Sequence, residues 1–237
     1  MKKLLFAAFL ALLLQNTYGQ KYKFCLNAGY GVYQMHDLKE LQSYMATYYA
    51  ALNIKEVQQF PGYINYSGSF EYFLNSQNLL GLNVAYYTTG GRNHVSDYSG
   101  EYILDMPVNA YHIGLQYRNI METFGKISLY ARLNGGITLS TLDVKESFVI
   151  YYADSTSSSY SFGSKSFSAE PGFGALYSLK NNLSVDFSLG YQIDIKSKLH
   201  PVESKKDDMT GPSGNPVYIN WSGLRLMLGI TYDLFKQ

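Results

Sequence analysis

Residues 183–195 read LSVDFSLGYQIDI. Leu183, Val185, Phe187, Leu189, Tyr191, Ile193 and Ile195 fall on one side of an extended chain, and Ser184, Asp186, Ser188, Gly190, Gln192 and Asp194 on the other. Side chains alternate across a strand, so this stretch is a strand with one apolar and one polar face. The segment after Lys126 repeats the pattern. Ile127, Leu129, Ala131, Leu133, Ile137 and Leu139 share a face opposite Ser128, Tyr130, Arg132, Asn134, Thr138 and Ser140.

Working outward, eight such segments cover roughly 23–34, 62–75, 79–90, 103–118, 126–140, 166–179, 183–195 and 217–235. Ser76-Gln77-Asn78 and Lys180-Asn181-Asn182 are tight turns, and 119–125 is a modest one. The alternate links, near 35–61, 91–102, 141–165 and 196–216, are longer. Short turns at one end and long loops at the other are the layout of a transmembrane β-barrel. Strands of this length exceed the usual five or six or so residues of globular sheets and suffice to cross a bilayer. Tyrosines recur on the apolar face in two bands, Tyr72, Tyr117, Tyr177 and Tyr232 near the short turns and Tyr30, Tyr66, Tyr86 and Tyr191 further along. The separation is on the order of 20–25 Å for tilted strands. A ring that is apolar with a wet hydroxyl prefers an interface, so two bands predict two interfaces.

The ends and the composition agree. Lys2 and Lys3 precede an apolar run, Leu4 to Leu14, followed by Thr17-Tyr18-Gly19. That is the layout of a cleaved export signal over 1–19, leaving a single domain over 20–237. The chain has 19 Lys+Arg and 18 Asp+Glu, and loss of Lys2 and Lys3 leaves 17 against 18. Such a balance gives no electrostatic basis for binding nucleic acid. Cys25 has no partner for a disulfide, and no spacing of His, Cys, Asp or Glu suggests a metal or cofactor. Gly90-Gly91-Arg92 reads as a turn signal.

The alternation, loop asymmetry, tyrosine bands and export signal together resemble the small eight-stranded outer-membrane barrels of the OmpA/OmpX-like class, in the style common among the Bacteroidota. The resemblance spans essentially residues 22–237 and implies an all-β, eight-stranded antiparallel up-and-down barrel, with periplasmic short turns, extracellular long loops and a location in the cell outer membrane; to this the pattern of loop one adds one loop helix. Barrels of this class usually end on an aromatic residue, whereas here Phe235 is followed by Lys236 and Gln237.

An eight-stranded barrel is just wide enough for its own side chains to fill it, which argues against a wide pore. Parity sends Glu71, Arg132, Glu170, Asp186, Arg225 and His112 inward. Glu71, Arg132 and Asp186 are expected at similar heights, with Glu170 and Arg225 slightly higher. Arg132 and Glu170 lie on adjacent strands, so an ion-pair network sealing the lumen is expected. His112 is the only histidine on a strand and points toward Glu71 or Glu170; no catalytic set emerges.

Loop one carries a helical pattern. Asp37 and Glu40 resemble a capping box, and Leu38, Leu41, Met45, Tyr48 and Leu52 form one apolar stripe of a helix ending near Asn53. In loop three, Phe148, Ile150, Tyr151 and Tyr152 lead into a serine-rich run, read as a surface hairpin turning at Ser157-Ser158-Ser159. Loop four mixes charges with Pro and Gly and reads as mobile and solvated. The role expected is non-catalytic: an envelope structural or surface-interaction protein, surrounded by outer-membrane lipid and contacting a surface or envelope protein through its loops. The alternatives are an outer-leaflet lipid-modifying enzyme and a soluble lipocalin-like periplasmic carrier.

Overall fold

The computed structural model describes residues 22–48, 54–180, 182–204 and 207–234. The export signal, Leu52 of the helical stripe and the residues from Phe235 onward lie outside them.

Eight long strands close into a ring: β1 (Tyr22–Gly31), β3 (Tyr63–Phe73), β4 (Asn78–Ser96), β5 (Gly100–Phe124), β6 (Ile127–Ile150), β7 (Ser155–Ser178), β8 (Leu183–Asp194) and β12 (Gly223–Leu234). Each pairs antiparallel with the next, and β12 returns to β1 with Tyr22 opposite Leu234, so no edge remains in this part of the sheet. The short turns match their chemistry. Asn75 Oδ1 accepts the N–H groups of Gln77 and Asn78 at 2.9 and 2.8 Å, and Gly125 takes φ +60 between β5 and β6.

The strands are unequal. β1, β3, β8 and β12 have 10 to 12 residues, whereas β4 to β7 have 19 to 25. One wall therefore continues past the barrel as a curved sheet. Two links expected as loops, 91–102 and 141–165, are mostly strand. Gly90, Gly91 and Arg92 sit inside β4 and make no turn. A Cβ on Gly91 would come within 2.6 Å of Gln42 Oε1 and 2.9 Å of Phe60, so this glycine admits the loop-one segment against the sheet. The β6–β7 turn falls at 151–154, not at Ser157-Ser158-Ser159. There Tyr152 takes φ 65 and Ile150 N–H donates to Asp154 O at 2.8 Å, while the serines from Ser155 pair with β6.

β2 (Lys55–Gln59), paired to β4, and β10 (His200–Pro201), paired to β7, extend this wall at its edges, and its inner face is covered by helix α1 (His36–Tyr48) and by loop four with the short pair β9 (Ser197–Lys198) and β11 (Tyr218–Ile219). Loop four is solvated over most of its length but anchored by Leu199, and residues 217–221, expected as the start of the last strand, lie before β12. Leu199, Val217, Ile219 and Trp221 are buried with Met35, Leu38, Phe60, Leu104, Met106 and Leu142 in one apolar core. Leu199 lies among exposed charges within 196–216, which hides it in the loop's average composition, whereas Val217, Ile219 and Trp221 come from the apolar stretch expected as strand. Three of the four described residues of the helical stripe are used. Leu38 and Leu41 are buried and Met45 packs beside them, but Tyr48 is exposed. The capping-box reading also changes, because Asp37 Oδ2 accepts from Tyr218 N–H at 3.1 Å and so ties α1 to loop four.

Candidate functional site

The outside of the ring is apolar. Leu26, Leu82, Ile113, Leu115, Phe173, Phe187, Leu228 and Ile230 are all exposed large hydrophobics. On β6 the outward face stays largely apolar from Ile127 to Leu139, about 30 Å of height for a tilted strand. Water-soluble monomers rarely expose a contiguous apolar patch beyond a few hundred Å². A belt of this height encircling a closed sheet is a lipid-facing surface. Register sets Tyr66, Tyr86 and Tyr111 side by side across three strands at its upper border, and Tyr22 beside Tyr72 at its lower one.

The inside is polar and layered. Nearest the short turns, buried Arg118 lies between two carboxylates, 3.2 Å from Glu71 and 3.3 Å from Asp186. Gln116 donates to Glu71 Oε1, Tyr130 donates to Asp186 Oδ1, and the Arg118 guanidinium sits 4.3 Å from the Tyr130 ring centre. One layer up, Arg132 reaches Glu170 Oε1 at 2.7 Å, and Arg225 reaches Glu170 Oε2 at 3.0 Å while lying 3.7 Å from the Tyr87 ring centre. Glycines make room for these groups. A Cβ on Gly190 would stand 2.8 Å from Glu170 Oε1, and one on Gly174 would stand 2.5 Å from the Tyr130 hydroxyl.

All six lumen residues expected from parity are buried inside. The expected pairing of Arg132 with Glu170 is present. The expected grouping by height is not: Arg132 belongs with Glu170 and Arg225, and Arg118 fills its place between Glu71 and Asp186. Arg118 has the same parity as His112 and Gln116, and that signal is present in the sequence. His112 contacts neither Glu71 nor Glu170; its Nδ1 lies 3.2 Å from both Thr138 Oγ1 and Ser168 Oγ.

Above His112 the lumen turns apolar. Trp221 sits against Tyr33 and Tyr87, with ring centres 4.8 and 5.7 Å away, and its indole N–H donates to Ser140 Oγ at 2.9 Å. Asp194 accepts from Ser166 Oγ at 2.7 Å and from Trp221 N–H at 3.0 Å, which seats the Trp221 segment over the ion-pair layers. Gln42 on α1 donates to Gln58 O and to Asn93 Oδ1, both at 2.7 Å, and locks the helix to the sheet.

The far ends of the long strands meet. Tyr151 N–H donates to Ser99 O at 2.9 Å, joining the β6–β7 turn to the β4–β5 turn. Tyr98 and Tyr152 are almost fully exposed there, while Phe148, Ile150 and Tyr151 are partly so. Asp97 Oδ1 accepts from Ser99 Oγ and Ser99 N–H, which holds its carboxyl below the usual carboxylate range. In loop four Lys198 Nζ donates to Asp208 at 2.6 Å, lowering the Asp208 pKa and raising that of Lys198.

No family model and no curated protein matches the chain. Among solved structures it is similar to a major outer membrane protein from Thermus thermophilus (13% identity, covering 90% of this chain and 99% of that one, TM-score 0.47). It is also similar to the outer membrane protein OprG from Pseudomonas aeruginosa (16% identity, 92% and 96% covered, TM-score 0.45). A third is Ail, the attachment invasion locus protein of Yersinia pestis, solved with the heparin analogue sucrose octasulfate (16% identity, 91% and 98% covered, TM-score 0.38). On its own ring of strands, apolar outside and polar inside, the chain is an eight-stranded antiparallel membrane β-barrel.

Proposed function

We propose that this chain is a non-catalytic outer-membrane protein that acts at the cell surface through its long hairpins, with the export signal over 1–19 removed and the apolar belt seated in lipid. One observation carries the reading. The lumen is filled by two ion-pair layers and an apolar core, whereas β4 to β7 run well beyond the belt and end in a joined tip that exposes Tyr98 and Tyr152. Rigid strands prolonged past what the membrane requires are a stalk for contact, and exposed tyrosines are favoured anchors at protein interfaces. The hydroxyl–imidazole contact of Ser168 with His112 lies inside the lumen, away from any lipid substrate, so it supports packing rather than lipid chemistry. A lipocalin-like carrier would need an apolar cavity where the arginine layers stand.

The test is a photoreactive residue placed at Tyr152 or, as a control, at Tyr72 in intact cells. The reading expects a discrete protein adduct from position 152 and only lipid from position 72. Absence of any protein adduct from 152, or steady ion conductance by the purified barrel in a planar bilayer, contradicts it.

A further inference from the structure

The joined tip of the long strands carries charge of one sign. Residues 96–101 and 146–161 hold four carboxylates, Asp97, Glu101, Glu146 and Asp154, and no lysine, arginine or histidine. Going back along the strands, the first basic residues are His94 on β4, His112 on β5, Lys145 on β6 and Lys165 on β7. Among the described residues only Glu101 of the four pairs with one of them, His94 Nε2 at 3.0 Å.

The two turn carboxylates are fixed in place. Asp97 Oδ1 accepts from Ser99 Oγ and Ser99 N–H at 2.6 and 2.7 Å, and Asp154 Oδ1 accepts from Ser155 N–H at 2.7 Å. The bonds to Asp97 hold its carboxyl below the usual carboxylate range, so it is charged at neutral pH. Beside these groups in the chain stand open rings. Tyr98 and Tyr152 are almost fully exposed, and Tyr151 is 41% exposed with its hydroxyl 3.4 Å from Ser96 Oγ. The hydrogen bond from Tyr151 N–H to Ser99 O keeps the two turns together, so rings and carboxylates form one surface before any partner arrives. A surface ordered in advance loses less on binding.

The face of an aromatic ring attracts a cation, and carboxylates favour the same partner while repelling an acidic one. Building on the reading that the tip makes the protein contact, we infer that its partner is a basic protein surface, which presents lysine and arginine side chains to Tyr98, Tyr152, Asp97 and Asp154. A guanidinium stacks on a ring while its edge reaches a carboxylate, so both kinds of group act on one side chain.

The test places the full chain in phosphatidylcholine nanodiscs, whose headgroups have no net charge, and measures binding of three peptides of equal length. Their charged positions are arginine and lysine in the first, glutamate in the second and serine in the third. The basic peptide should bind best, and less as salt rises. Tyr98→Ser with Tyr152→Ser removes rings and keeps every charge. Asp97→Asn with Asp154→Asn removes two charges and keeps the turns, because an amide oxygen accepts the same bonds. Each pair should weaken the basic peptide about tenfold. Glu203→Gln with Asp207→Asn, exposed acids of loop four, should leave binding unchanged. The heat-dependent gel shift confirms that each variant is folded. No preference for the basic peptide, no loss in either tip pair, or an equal loss in the loop-four pair overturns the inference. A protein adduct at Tyr152 without that preference removes only the charge of the partner; absence of the adduct removes the reading beneath it.

Discussion

Arg118 and Arg132 stand directly opposite each other across the β5–β6 pair, and both point into the barrel. Like charges opposed in this way repel, yet each is drawn off toward its own carboxylates, Arg118 to Glu71 and Asp186 and Arg132 to Glu170. The lumen is thereby split into two layers that are closed separately.

This division sets the order of two substitutions. Arg132→Ala strips Glu170 of one of two arginines and should lower unfolding stability by roughly 3 kcal/mol. Arg118→Ala strands two buried carboxylates and should cost more, about 5 kcal/mol or above. Urea unfolding followed by tryptophan fluorescence in detergent measures both; equal, negligible losses would mean that the pairs are hydrated.

Glycines at close backbone contacts should be irreplaceable, and those facing lipid should not be. A Cβ on Gly136 would stand 2.3 Å from Ile113 O and 2.5 Å from Gly114 Cα, so Gly136→Ala should destabilise the β5–β6 pair by about 1–3 kcal/mol. On Gly68 the nearest atom is Leu26 Cδ2 at 3.5 Å, an ordinary contact, and Gly68→Ala should change stability by no more than about 0.5 kcal/mol. The same unfolding curves compare them.

Trp221 is fully buried at the junction between lumen and outer core. Trp221→Ala should cost roughly 3–5 kcal/mol in that core and loosen loop four while the membrane ring stays closed. Limited proteolysis should then cut within 199–217 much faster, with the heat-dependent gel shift retained.

Loop four should also respond weakly to pH. The Asp208 pKa is lowered in the folded protein by the Lys198 hydrogen bond, so its contribution is present above the unfolded value near 3.9 and is lost as pH falls through the lower folded value. The Lys198 pKa is raised by the same contact, so its contribution holds below about 10.4 and is lost as pH rises through the higher folded value. Both groups are exposed, so the effect is small and screened by salt. Proteolysis of the loop should be slowest between these limits, and Asp208→Asn should remove that pH dependence.

The eight strands, the inward parity of the charged residues and the Arg132–Glu170 pair are legible because a half-polar strand writes its two faces directly into the sequence. The height of the barrel is harder to read. On β5 the even positions are polar from Arg118 to His112 and apolar from Ala110 to Tyr102, while the odd positions change from Tyr111 and Ile113 to Asn109 and Asp105. The hydrophobic face swaps sides where the strand leaves the lipid, and a search for unbroken alternation stops there. The segment before β12 is illegible for a different reason: its core residues contact elements more than a hundred positions away, as Trp221 does with Tyr33 and Tyr87, and no local pattern records that.

The central claim is that the apolar face points outward into lipid and the charged face inward. Cell fractionation, followed by gels of boiled and unboiled membrane fractions, tests it most directly. The account predicts a protein that sediments with the outer membrane and runs at a different position until heated. A protein recovered in the soluble periplasmic fraction with no shift on boiling would contradict it.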